Sequence, residues 1–330
     1  MSRRAALTIG LLAVALLLAA FLRLTSSSAF DSTGGLLDWP DASIHWDLRG
    51  RRCIAAIAIG LSLAVAGVLL QSILRNPLAS PFILGLTSGA GLGIVIAMYV
   101  GFAATGAIVA SNAPLGPALL GAFGALALVY TLSQRRGLID PSTLILVGVI
   151  VSVVCGAIGT FFQHLLPDAG MAVYTRWVMG SISEDSSWWQ LGLVASIGLI
   201  GTVLAAWLGP ALDAASLSDD EARSVGVQLG PLRLAAFGLA GLLTAGTVVL
   251  AGPIAFVGLI CPHLVRILAG PKHRALIVGA ALAGAVLILL ADIAVTLLRL
   301  PSGRLPIGVL TSLIGGPVFI LLLRRSAANA

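Results

Sequence analysis

From residue 76 to residue 134 the chain carries no charged side chain. A water-facing segment of that length would include about one charge in four, and one helix crossing a bilayer core needs only roughly 20 apolar residues. The segment is therefore two membrane spans, and it breaks at Ser111-Asn112-Ala113-Pro114, giving spans near 88–109 and 115–133. The same ruler cuts the rest of the chain into spans near 5–22, 53–74, 142–165, 191–209, 232–251, 253–268, 275–298 and 306–323, ten in all. With 58% hydrophobic and 10% charged residues over 330 positions, the chain lacks the polar surface of a soluble enzyme. In lipid every backbone polar group must be satisfied within the chain. The expected fold is an all-α polytopic membrane protein of about ten transmembrane helices, with residues 1–330 as one permease-like domain.

The first apolar run follows Arg3 and Arg4, as in a signal peptide. It is long for a signal core, ends at Arg23 and is followed by no clean A-x-A site, so it reads as a span. Short cytoplasmic loops collect Lys and Arg. Placing Arg3 and Arg4 inside puts Arg75, Arg135, Arg136, Arg223, Arg233, Arg266, Lys272, Arg274, Arg324 and Arg325 there too, 12 of the 19 basic residues. Both termini then fall in the cytoplasm. The basic residues are scattered rather than patched, which excludes a nucleic-acid footprint. Cys53, Cys155 and Cys261 all lie in apolar runs and form no disulfide framework.

Asp292 is the one ionisable residue well inside a span, with His164 and His263 near span ends. Ion-coupled carriers relay charge through several such groups, so a secondary transporter is disfavoured. A phosphate-cradling G-x-x-x-x-G-K-[ST] loop is absent, since the single lysine, Lys272, precedes His273. Uphill transport by this chain would need a second polypeptide to bind ATP and Mg; no cofactor and no metal site is expected on the chain itself.

One inner loop, residues 213–231, carries its own structure. Ser218 and Glu221 make a capping box, Asp219 and Asp220 suit the positive end of a helix dipole, and Gly226 supplies a left-handed stop. Ala222, Arg223 and Ser224 complete the short helix. Two readings fit it: a solvated connector whose caps prevent fraying, or a rigid knob for a cytoplasmic partner.

The run Gln71-Ser72-Ile73-Leu74-Arg75-Asn76-Pro77-Leu78-Ala79-Ser80-Pro81, continuing through Gly85 to Ser88-Gly89-Ala90, resembles the signature of the FecCD or BtuC-like type II ABC-importer permeases for iron-siderophores, haem and cobalamin. Asp219 to Gly226, Gly252-Pro253 through Leu259, Pro262-His263, His273-Arg274, Leu290-Ala291-Asp292, Leu305-Pro306-Ile307-Gly308 and Gly315-Gly316-Pro317 continue the resemblance in order along the chain. It implies a permease of the bacterial inner membrane that pairs with a second copy or a close relative. It also implies two cytoplasmic ABC ATPase subunits below, a periplasmic substrate-binding protein above, and a ferric siderophore, haem or cobalamin as cargo. Under it, Ser218 to Gly226 would be the ATPase-coupling helix.

The resemblance also implies roles for other residues. Arg49 and Arg52, at the start of the second span, match arginines that dock the binding protein; Arg299 stands near the second such position, where Thr296 breaks the match. Interfacial anchoring is the plain alternative for all three. Pro141 and Ser142 align with an inner gate. In the fifth span Ser152, Gly159, Thr160 and Gln163, with Cys155 and Gly156, form a small or mildly polar stripe. Such a stripe either packs against another helix or lines the pathway. Arg176 falls at the expected outer vestibule, where it would meet an anionic cargo or merely the headgroups. Asp292 is expected to satisfy backbone or a neighbouring hydroxyl, and Gly89 and Gly93 to permit close helix contact.

Overall fold

A computed structural model of the chain describes residues 2–26, 43–107, 115–135, 138–183, 186–300 and 303–328. Helices dominate: α1 (Arg3–Thr25), α2 (Ser43–Ile73), α3 (Leu86–Thr105), α4 (Leu115–Leu132), α5 (Pro141–His164), α6 (Asp168–Val178), α7 (Trp188–Ala215), α8 (Asp219–Ser224), α9 (Leu229–Ala251), α10 (Val257–Ala269), α11 (His273–Leu297) and α12 (Ile307–Ala328). Two hairpins of two-residue strands, β1 (Gln134–Arg135) with β2 (Leu138–Ile139) and β3 (Arg299–Leu300) with β4 (Gly303–Arg304), turn the chain between spans.

Among the described residues, eight helices are long and apolar enough to cross a membrane, and α10 and the apolar part of α12 are shorter. A helix runs through each of the ten apolar stretches of the sequence. Two elements go beyond them. Helix α2 begins at Ser43, well before its apolar run, because Asp47 and Arg51 pair at 2.7 Å one turn apart and carry the helix beyond its apolar segment. Helix α6, amphipathic and only 11 residues long, was not legible as a span and is not one. The expected break at 111–114 lies outside the described residues.

Helix α2 is the buried axis, packed on α7, α9, α10 and α11. Glycines set how close its neighbours come. A Cβ on Gly60 would sit 2.1 Å from the Gly284 carbonyl oxygen of α11, and one on Gly67 2.0 Å from the Gly258 oxygen of α10. The expected contact at Gly89 and Gly93 is the α3–α4 crossing: a Cβ there would meet the Gly121 and Pro117 carbonyls at 2.4 and 2.0 Å. Small-residue crossings are the usual way helices associate where no hydrophobic drive exists between them.

At one end of the bundle three chain segments meet backbone to backbone. Gly308 N–H donates to the Gly180 carbonyl at 3.0 Å and Ser181 N–H to the Ala251 carbonyl at 2.8 Å. Gly180 and Gly252 hold φ of +72° and +68°, where glycine alone is unstrained, and any Cβ on Gly180 would strike the Pro253 oxygen at 2.1 Å. The end of α6, the α9–α10 break and the start of α12 thus share one face. Arg23, Arg52 and Asp292 lie on that face too; α8, Arg75, Arg233 and His273 lie on the other, in the alternation read from the arginines. Helix direction then puts the start of α1 and the end of α12 on the α8 side.

Candidate functional site: a capped short helix, a buried ion cluster and an open helix face

Helix α8 is capped at both ends. The Ser218 hydroxyl accepts the Glu221 N–H at 3.2 Å, while the Glu221 carboxylate accepts from the Ser218 N–H at 3.0 Å and from its hydroxyl at 2.8 Å. At the other end Gly226, at φ +85°, donates to the Arg223 carbonyl at 2.9 Å and Val227 N–H to Ala222 at 3.0 Å, a Schellman ending. Ala222 is buried, whereas Asp220, Glu221, Arg223 and Ser224 are exposed. The helix is ordered before anything touches it and presents its charged face outward.

Asp219 fixes α8 to the bundle. Its carboxylate accepts from Arg75 at 2.5 Å and from Arg233 at 2.9 and 3.1 Å, and Arg75 also donates to the Ala215 carbonyl at 3.0 and 3.2 Å. Partial burial pushes the Asp219 carboxyl up, but the charge of Arg233 and the hydrogen bond and charge of Arg75 outweigh it and hold the pKa below the usual carboxylate value. Glu221 is likewise held low, by its bonds to the Ser218 hydroxyl and backbone. Sequence reasoning found the caps because they are local. It missed the Arg75–Asp219–Arg233 anchor, whose only signal was that all three fall in loops assigned to one side.

At the opposite end of the bundle from α8, Asp292, fully buried, accepts from the Arg23 guanidinium of α1 and the Arg52 guanidinium of α2. This corrects two expectations. Asp292 is satisfied by two cations rather than by backbone or a hydroxyl. Arg52, 6% exposed, points into the bundle and is not available to a docking partner; a charge is held inside only where it is paired. Arg49 is half-buried and donates to the Leu24 carbonyl at 3.1 Å, and Arg51 pairs with Asp47 and stacks over Trp188 at 5.3 Å. The exposed Arg304 lies close to this cluster: partial burial first, then the charges of Arg52 and Arg23, lower its pKa. Arg299 pairs backbone to backbone with Arg304, and its side chain lies outside the described set.

Helix α5 covers one face with α3 and leaves the other open. Its start is capped by Asp140, whose carboxylate accepts from the Thr143 N–H at 2.8 Å and hydroxyl at 2.6 Å, with Pro141 at the first turn and Ser142 exposed. Ser152 and Thr160 donate to the carbonyls of Gly148 and Gly156 at 2.8 and 3.0 Å, and Gln163 reaches the Thr175 hydroxyl at 3.5 Å. Gly159 faces the Tyr174 hydroxyl, but nothing approaches a Cβ on Gly156 within 4 Å. The stripe is therefore not a tight seam within the chain; Val149, Ile150, Val153, Val154, Ile158 and Phe161 beside it are exposed as well. Arg176 is exposed on α6, whose Tyr174 and Trp177 stack at 6.4 Å over Gly91.

His263 stands edge-on to Phe319, and no group of three metal-ligating side chains forms among the described residues. The model of the FecCD transport family matches residues 7–325. The chain belongs to that family. The hemin transport system permease protein HmuU of Yersinia pestis is 35% identical over 288 residues, 86% of this chain and 85% of that protein. The vitamin B12 import system permease protein BtuC of Yersinia enterocolitica is 38% identical over 283 residues, 85% of this chain and 81% of the relative. A solved structure described as an inward-facing conformation of a metal-chelate type ABC transporter superposes with a TM-score of 0.81 at 30% identity, covering 97% of this chain and 99% of the other.

As a FecCD permease the chain is a multi-span subunit of an ABC importer, from a family of subunits that carry no ATPase site of their own. The three regions described above then divide by face: α8 and its anchor at one end, the Asp292 cluster and the glycine junction at the other, and the open side of α5 between them.

Proposed function

We propose that this FecCD permease carries a ferric siderophore across the bacterial inner membrane. It would work by alternating access as one of two permease subunits, with both termini in the cytoplasm. Two cytoplasmic ABC ATPases supply ATP and Mg chemistry, and a periplasmic binding protein delivers the cargo. The observation that carries the ATP-driven reading is α8: a six-residue helix with both ends capped, exposed charges, and a carboxylate welded to α2 and α9. A connector needs none of that order, whereas a surface pushed by a partner does. In this reading Ser218 to Gly226 couple to the ATPase. Pro141, Ser142, Ser152, Gly159, Thr160 and Gln163 border the path between the two permeases, and Arg176 faces the outer vestibule. Arg49 and Arg299 remain the docking arginines.

Asp292 speaks against an ion-coupled carrier. The one carboxylate deep in a span is clamped by two guanidiniums and is in no position to pass protons. Haem or cobalamin is the alternative cargo, favoured by what HmuU and BtuC are named for. The deciding experiment reconstitutes the permease with its ATPase and binding protein in liposomes and offers radioiron siderophore, haemin and cyanocobalamin in parallel. Uptake of the siderophore that requires ATP and both partners supports the proposal. Uptake by the permease alone, driven by a proton gradient, overturns it.

A further inference from the structure

Directly above α8, three helix ends are joined by a second set of polar contacts that the coupling role of α8 does not use. His273 opens α11 and is buried. Its Nδ1 lies 2.7 Å from the Asp213 carboxylate in the last turns of α7, and its backbone N–H donates to the same oxygen at 2.9 Å. Lys272, at the N-cap position, supplies no side-chain cap, so a carboxylate from a different helix caps α11 and sits at the positive end of its dipole. A carboxylate accepts only, which fixes the proton on Nδ1. The other ring nitrogen, Nε2, is 2.7 Å from the Ser72 hydroxyl of α2, and that hydroxyl is also 2.6 Å from the Val68 carbonyl. One residue therefore bridges α2, α7 and α11.

A second link ties the same helices one turn lower. Arg75, in the turn just after α2 at a φ of +46°, holds both the Ala215 carbonyl, at the end of α7, and Asp219 of α8. Gly209 of α7 lies against Arg274 of α11, where a Cβ would come within 3.0 Å of its backbone nitrogen. Only Ser216, Leu217 and Ser218 separate α7 from α8. By contrast α5 packs mainly on α3, α4 and the short turn at Pro81–Leu84, and so belongs to the other side of the bundle.

We propose that His273 is a positioning residue of transport: it locks the inner ends of α2, α7 and α11 into one rigid lever attached to α8. Displacement of α8 then moves those helices together relative to α5, instead of bending α7 alone. The inference rests on α8 being the helix that the ATPase moves.

The test uses the full permease with its ATPases in nanodiscs, with Cys53, Cys155 and Cys261 replaced by alanine and the labelled copies diluted with unlabelled ones. Nitroxide pairs join Ser224 of α8 to Arg274 of α11, and Ser224 to Ser142 of α5, and electron paramagnetic resonance distances are read with and without ATP and Mg. The expected result is a Ser224–Arg274 separation that stays constant and a Ser224–Ser142 separation that shifts. His273→Gln and Ser72→Ala should each make the first separation nucleotide-dependent. The double variant should do no more than either alone, since both cut one link. Both variants are checked for native elution and ATPase binding; ATPase binding lost in step with the distance effect would mark a general folding defect and overturn the proposal. A Ser224–Arg274 separation that moves in the parent, or is unaffected by His273→Gln, also overturns it. If Ser224–Ser142 does not shift and Glu221→Ala with Arg223→Ala leaves ATPase binding intact, the reading of α8 itself falls and the lever goes with it.

Discussion

Arg52 turns away from the aqueous face and places its guanidinium on Asp292, which already holds Arg23. Two cations on one buried carboxylate tie α1, α2 and α11 together at the end of the bundle opposite α8. Removing the carboxylate leaves both charges without a counterion.

Asp292→Ala should therefore destabilise the permease by about 3–5 kcal/mol, the usual cost of breaking a buried pair. Arg49→Ala, which removes a half-buried guanidinium that donates to the Leu24 carbonyl, should cost about 1 kcal/mol for that hydrogen bond. Thermal unfolding in detergent, followed by tryptophan fluorescence, separates the two. Equal losses would mean that Asp292 is not the keystone of this end.

Reversing Arg49 to Glu should weaken docking of the binding protein, more strongly at low salt, where exposed charges are less screened. Arg52→Glu should instead lower permease yield, because it sets an acid beside buried Asp292. Surface plasmon resonance against nanodisc-held permease at two salt concentrations reads the first effect, and membrane expression level the second.

Ser218→Ala removes the N-cap of α8 and should cost about 1 kcal/mol of local helix stability. Gly226→Ala should cost a similar amount, about 1–2 kcal/mol, from backbone strain alone, since open space surrounds its Cβ. Faster amide exchange over residues 219–225 with unchanged exchange in α9 is the expected signature. If the effect spreads into α9, the cap stabilises more than its own helix.

The low pKa of Asp219 gives α8 a pH dependence with a definite sign. A carboxyl whose folded pKa lies below its unfolded value, 3.8, adds stability above that value and loses it as pH falls through the lower folded pKa. A nitroxide at Ser224 should stay immobile from neutral pH down to about pH 4 and loosen below it. Asp219→Asn should be loose throughout. Loosening already at about pH 6, the range of an ordinary histidine, would assign the transition to another group.

Gly60→Val should fail to fold, because its side chain would occupy the space of the Gly284 carbonyl of α11. Gly156→Val, with nothing near its Cβ, should insert and fold normally. Yield and monodispersity of the purified permease distinguish the outcomes.

The features legible in the sequence were those written in one stretch of chain. Ten apolar runs mark the helices, since a bilayer requires each span to be apolar along its whole length, and the caps of α8 are read from the single run Ser218 to Gly226. The orientation of Arg52 was not legible. An arginine just ahead of Cys53, Ile54 and Ala55 looks the same whether it snorkels outward or turns inward on a carboxylate 240 residues away. The Asp219 anchor and the His273 bridge were hidden for the same reason: each joins helix ends from different parts of the chain that become adjacent only once the helices have packed. Helix α6 escaped because its 11 residues are too short for a span and too polar for the apolar ruler.

Under the proposed pathway along α5, its hydroxyls have a consequence for cargo. Ser152 and Thr160 each give their only proton to a carbonyl of their own helix, so what they turn outward is lone pairs. On the proposed path these two positions would offer no hydroxyl proton to the oxygens of an anionic chelate, while Gln163, with one amide N–H on Thr175, would keep a second to give. If cargo takes that route, a bulky passenger would slide past Ser152 and Thr160 instead of lodging on them, and the choice of passenger would fall to whatever stands at the door.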